Sequence, residues 1–121
     1  MRKYRKNLQL ALLLLLIVHP EVSIPQQGQK VIDIHARRFA FVPDHITLVK
    51  GETVSLRFTS EDVPHGLVVL GLGIRVSKIV KGKISDVTVT PTKTGDFAGS
   101  CSRYCGVGHD RMHFLIHVIN N

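Results

Sequence analysis

The chain has 121 residues, enough for one small domain, with a formal net charge of +7, seven histidines, two cysteines and no tryptophan. Four Lys/Arg and one Glu fall in the first 23 residues, so +7 less 3 leaves +4 for residues 24–121, with no basic run longer than Arg37-Arg38. There is no basic stripe with interleaved aromatic residues, which excludes the usual kind of nucleic-acid surface.

Arg2, Lys3, Arg5 and Lys6 precede an apolar run from Leu8 to Val18 that only Gln9 interrupts. About 11 residues of helix measure ~16 Å against a hydrocarbon core of ~30 Å, too short to span comfortably. Residues 1–23 therefore read as a secretory signal peptide or a short N-terminal anchor. His19-Pro20-Glu21-Val22-Ser23 lacks the small residues of a cleavage site, and no lipobox cysteine follows the run. Either form delivers the remainder to the periplasm or the outer face of the inner membrane. Residues 24–30, with Gln-Gln-Gly-Gln, read as a polar linker, which leaves 31–121 as the domain.

Beyond Val31 the pattern is one of short strands. Val31, Asp33 and His35 alternate with Ile32, Ile34 and Ala36, and further runs are expected at Ile46–Val49, Thr53–Thr59, Gly66–Leu70, Ile84–Thr90 and Met112–Ile119. Turn signals separate them at Pro43-Asp44, Lys50-Gly51, Glu61-Asp62, Gly71, Gly73, Lys81-Gly82, Pro91 and Thr94-Gly95. β-Branched residues dominate the runs and no helical period is sustained after the leader. Short strands at this spacing predict an all-β chain folded as a small Greek-key sandwich.

The chemistry is concentrated near the end. Cys101-Ser-Arg-Tyr-Cys105-Gly-Val-Gly-His109-Asp-Arg-Met112 holds both cysteines, a histidine and a methionine. Two cysteines of an exported chain also suit a small-loop disulfide. Zinc could take thiolate and imidazole, but it has little use for a thioether, whereas soft sulfur with imidazole selects copper. His65, in Glu61-Asp62-Val63-Pro64-His65-Gly66, would bring a second imidazole from a distant loop. A mononuclear blue-copper site needs one Cys, two His and a weak Met. The second thiolate allows two coppers to be bridged. Glu61 and Asp62 have no nucleophile or paired carboxylate beside them, so hydrolytic catalysis is not expected. His35, His45, His113 and His117 read as surface or edge residues, the last two on the opposite face of the final strand from Met112.

The C-x3-C-x3-H-x2-M pattern preceded by D-V-x-H resembles the binuclear CuA centre of cytochrome c oxidase subunit II. The similarity runs over roughly residues 30–119: Phe39-Ala40-Phe41-Val42-Pro43, Ile46, Gly51, Val54, Asp62-Val63, His65-Gly66 and Thr94-Gly95-Asp96-Phe97 come in the family's order. The resemblance implies a cupredoxin fold and a centre of two copper ions. Cys101 and Cys105 would bridge them, His65 and His109 would each cap one, and Met112 and the Arg103 carbonyl would be weak ligands. Asp62 would support the histidine loop. The Cys–Met segment would join the last two strands, with Gly106 and Gly108 turning it tightly.

Two positions depart from the family pattern. Arg103 stands where Glu is usual, removing the carboxylate that in oxidases reaches a magnesium at the subunit I boundary. The tryptophan-rich segment that commonly admits electrons is reduced to Phe39 and Phe41. The expected role is a non-catalytic electron-transfer subunit rather than an enzyme on its own. It would accept electrons from a c-type cytochrome or small copper protein and pass them to a haem–copper oxidase core in subunit I. The alternative is a periplasmic cupredoxin that stores, delivers or senses copper outside an oxidase.

Overall fold

A computed structural model describes residues 28–121. The signal or anchor expected over residues 1–23 lies outside the described residues, as does most of the linker. Among the described residues nine strands follow one another: β1 (Lys30–Arg37), β2 (Ala40–Val42), β3 (His45–Val49), β4 (Val54–Ser60), β5 (His65–Val69), β6 (Ile74–Ile79), β7 (Ser85–Val89), β8 (Gly95–Ser100) and β9 (His113–Ile119). They form a four-stranded sheet in the order β2-β1-β4-β7 and a five-stranded sheet in the order β3-β9-β8-β5-β6. β1 pairs with β4 and β3 with β9 in parallel, and the remaining ladders are antiparallel. This is the cupredoxin-like sandwich the sequence predicts.

Period-two alternation sets which side chains enter the core. Ile34 and Ala36 of β1, Val54, Leu56 and Phe58 of β4, and Phe114, Ile116 and Val118 of β9 are buried between the sheets. His113 and His117 point outward from β9, and His35 and His45 are also exposed, as expected of them. Phe114 sits edge-on to Phe41 at 5.7 Å and to Phe58 at 6.5 Å between ring centroids. Pairs of this kind contribute about 0.5–1.5 kcal/mol beyond area burial. They lock the start of β9 two residues after Met112, and so fix one end of the ligand loop.

Three strands escape the sequence pattern. β2 is only three residues long. β6, Ile-Arg-Val-Ser-Lys-Ile, buries Ile74, Val76 and Ile79, so its period slips, and its pairing with β5 shifts register between His65 and Leu67. β8 begins on Gly95-Asp96 and contains Gly99, residues depleted in strands, and so reads as a turn with a lead-in. Its place between β5 and β9 overrides that propensity. At Gly99 a Cβ would lie 2.6 Å from Val69 and 2.9 Å from the Val68 carbonyl, so the glycine permits close approach of β5.

The sandwich thereby gathers two loops at one end. His65 opens β5, and the Cys101–Met112 segment joins β8 to β9. The Cys101 N–H donates to the Met112 carbonyl at 3.0 Å, closing the base of that segment. The Ser102 N–H donates to the Gly66 carbonyl at 3.2 Å, tying it to the histidine strand.

Candidate metal centre

Five side chains and one carbonyl converge at this end. Cys101 Sγ lies 3.8 Å from Cys105 Sγ and 4.0 Å from His65 Nδ1. Cys105 Sγ lies 3.7 Å from His109 Nδ1 and 3.9 Å from Met112 Sδ. The Arg103 carbonyl is 3.1 Å from Cys101 Sγ. The order is imidazole, sulfur, sulfur, imidazole, with a carbonyl beside the first sulfur and a thioether beside the second. His65, Cys101 and Cys105 bring their donor atoms within 4.8 Å of one another. All six positions expected from the sequence are therefore brought together.

The spacing fits a metal site. Both cysteines are free, and 3.8 Å is far longer than the ~2.05 Å of a disulfide. Neighbouring donor atoms lie 3.7–4.0 Å apart, near enough for adjacent donors to share a metal ion. The donor set of thiolate, imidazole and thioether suits copper, and the residues present fit it. His65, Cys101, Cys105 and Met112 are buried, whereas His109 is half-buried beneath exposed Tyr104, their ring centroids 5.7 Å apart. The centre thus has a sealed side at His65 and an accessible side at His109.

Asp62 fixes the buried histidine. Its Oδ1 is 3.0 Å from His65 Nε2 and accepts the Val63 N–H, while its Oδ2 accepts the Arg38 N–H at 2.9 Å. Partial burial opposes ionisation, but these hydrogen bonds prevail and hold the carboxyl at about 2. An ionised carboxylate can only accept, so His65 donates from Nε2 and turns Nδ1 towards Cys101. The turn is braced by Ser60, whose hydroxyl donates to the Val63 carbonyl and accepts the Asp62 N–H.

Cys105 is tuned the other way. Burial, then the charge of Cys101 and the hydrogen bond between the thiols, push its thiol up to about 11, with Arg38 opposing the rise. Arg38 Nε donates to the Cys105 carbonyl at 2.9 Å. Arg38 therefore joins both loops, holding Asp62 through its main chain and Cys105 through its guanidinium. Its role has no sequence signature, because a basic residue in an Arg-Arg pair reads as solvated surface. Ser60 is equally silent.

One expectation about a neighbouring residue needs correction. Gly106 does adopt positive φ, at 135°, but Gly108 lies at −94°, open to any residue. Gly108 is needed for space instead: a Cβ there would lie 2.4 Å from the Phe39 ring. Phe41 is a buried core residue against Phe114, and Phe39 packs against Gly106 and Gly108 of the ligand loop.

Residues 7–119 match the family model described as cytochrome C oxidase subunit II, periplasmic domain. The chain is 33% identical over 101 residues to cytochrome c oxidase subunit 2 of Thermus thermophilus, covering 82% of this chain and 74% of that one. Against the same subunit from a second strain of that species the identity is again 33%, and the chain spans 60% of the relative's length. The periplasmic domain of subunit II (CoxB) of Bradyrhizobium japonicum has the same fold, with a TM-score of 0.71 and 17% identity over 81% of this chain and 89% of that one. The chain belongs to the cytochrome c oxidase subunit II family, as a periplasmic, copper-binding cupredoxin domain of the CuA electron-transfer type.

Proposed function

We propose that His65, Cys101, Cys105, His109, Met112 and the Arg103 carbonyl hold two copper ions. In this reading the domain relays electrons from a c-type cytochrome or small copper protein to the haem–copper core in subunit I of an oxidase. The observation that carries the reading is the pair of thiols 3.8 Å apart, each with its own imidazole within about 4 Å. One copper would need only one of those sulfurs. When bound, the copper pair supplies a one-electron redox centre.

The chain's own residues supply rigidity and an asymmetric environment. Asp62 and Arg38 hold His65 Nδ1 and the Cys105 main chain in place before any metal arrives, so few groups have to move when the charge changes. Buried Met112 and the phenylalanine cluster behind it keep water from the inner side. His109 and Tyr104 form the outer edge, the shortest path to a partner. Residues 1–23 would export the domain as a signal peptide or hold it at the membrane as an anchor.

Metal analysis together with electron spin resonance tests the copper count. Two coppers per chain and one unpaired electron shared between them are expected. One copper with a mononuclear hyperfine pattern would refute the binuclear reading. Storage or delivery of copper outside an oxidase is the second reading, favoured by Arg103 in place of the usual Glu. Co-purification with, or gene adjacency to, an oxidase subunit I separates the two.

A further inference from the structure

Beside the ligand loop lies an open cleft of about 290 Å3, and its charge is one-sided. Arg38 and Arg103 line it, with Val63, Pro64 and Tyr104 as largely apolar wall and buried Cys105 among its lining. Arg37 and Arg57 have carboxylate partners, Glu61 and Asp33, but neither Arg38 nor Arg103 is in an ion pair among the described residues. Arg38 is held at the cleft by the bond from its Nε to the Cys105 carbonyl. The carboxylates nearby offset only part of this charge. Ionised Asp62 lies against the Arg38 main chain and balances one of the two arginines, while Glu61 faces Arg37 and His35 and Asp110 is followed by Arg111, so the cleft stays positive by one charge, with Arg103 free of any carboxylate partner among the described residues.

Next to these cations the loop exposes apolar surface. Tyr104 is 74% exposed and Val107 is 90% exposed. Neither is needed to fill the core. A small apolar patch rimmed by net positive charge is complementary to an apolar patch rimmed by carboxylates.

We propose that this face docks an acidic redox protein, with carboxylates of the partner entering the Arg38–Arg103 cleft and its apolar contact covering Tyr104 and Val107. The inference rests on the electron-relay reading only for the partner's being a redox protein. The docking surface itself stands on charge and exposure. Carboxylates suit the cleft because guanidinium groups bind them in a two-pronged fashion. Rim charges act chiefly on encounter rate and salt dependence, so the complex should be short-lived and salt-sensitive, as suits repeated electron delivery.

The test is a titration of the isotope-labelled full chain, with and without copper, with two c-type cytochromes, one acidic and one basic at its docking face. The acidic cytochrome should shift the amide signals of Arg103, Tyr104 and Val107. Its affinity should fall at least about tenfold between roughly 20 and 200 mM salt, as the Debye length contracts. Arg103→Glu should weaken it about tenfold and improve binding of the basic cytochrome, and Val107→Asp should weaken binding of the acidic one with both arginines intact. Tighter binding of the basic cytochrome, binding of neither, shifts confined to another face, or self-association of the chain across the cleft overturns the proposal. Copper content measured on the same samples keeps the claims apart. A chain that takes up no copper but binds the acidic cytochrome here refutes the relay and leaves the surface standing.

Discussion

Asp62 and His65, three residues apart in sequence, meet at 3.0 Å between Oδ1 and Nε2, and that contact decides which nitrogen of the ring faces the sulfurs. A ligand histidine whose distal N–H is held by a carboxylate is both oriented and made more basic.

Asp62→Asn should therefore lower copper affinity by roughly 10- to 100-fold, the usual cost of losing such a partner. Competition with a Cu(I) chelator measures it. The same carboxyl gives an acid-stability signature. Its folded value of about 2 is below the ordinary 3.8, so its stabilising contribution is complete above about pH 4 and is lost as pH falls towards 2. Thermal unfolding of the metal-free chain across that window should decline more steeply than that of the Asn variant. Parallel curves would show that Asp62 is not a stabilising carboxylate.

The Cys105 thiol, pushed up to about 11, is protonated throughout the neutral range in the metal-free chain. A metal takes the thiolate, so loading must expel that proton and affinity must rise with pH until about 11 is reached. Proton release on adding Cu(I) at about pH 7–8 in weak buffer, and its reduction in Cys105→Ser, are the expected results. Alkylation of Cys105 in the metal-free chain should be slow at about pH 7 and accelerate as the thiolate forms.

Gly108 and Phe39 make a tightly matched pair, since a Cβ at Gly108 would lie 2.4 Å from the ring. Gly108→Ala should cost about 1–3 kcal/mol by overpacking and should shift the ligand loop. In Phe39→Ala the ring is gone, so adding Gly108→Ala to that background should cost much less. Such non-additivity in denaturant midpoints is the signature of direct contact. Equal costs in both backgrounds would place the strain elsewhere.

The residues most legible from sequence were those whose chemistry is rare. Two cysteines, a histidine and a methionine within twelve residues announce a soft-metal loop, and β-branched runs between turn residues announce a sandwich. Less legible was whatever depends on tertiary fit. β8 forms from Gly-Asp-Phe-Ala-Gly-Ser because its neighbours β5 and β9 supply the ladder, not because those residues prefer strands. Gly108 looks like a turn glycine until Phe39 is seen against it. Arg38 is ordinary surface charge until the β1–β2 connection carries it to Cys105 and Asp62.

Arg103 offers a last test, because its backbone and side chain do different things. The carbonyl lies 3.1 Å from Cys101 Sγ, while the residue as a whole is exposed. Arg103→Glu alters the side chain alone, so copper content and stoichiometry should stay close to those of the parent chain. Replacing a cation by an anion near the centre favours its more positive, oxidised state, so the reduction potential should fall. Solvent screens an exposed group, which limits the change to on the order of tens of millivolts, where about 59 mV is a tenfold change for one electron. Potentiometry at low and high salt, with copper measured in parallel, should show a lowering that shrinks as salt rises. A potential that rises, or copper lost on substitution, would mean that the side chain acts on the centre through the main chain it holds rather than through its charge.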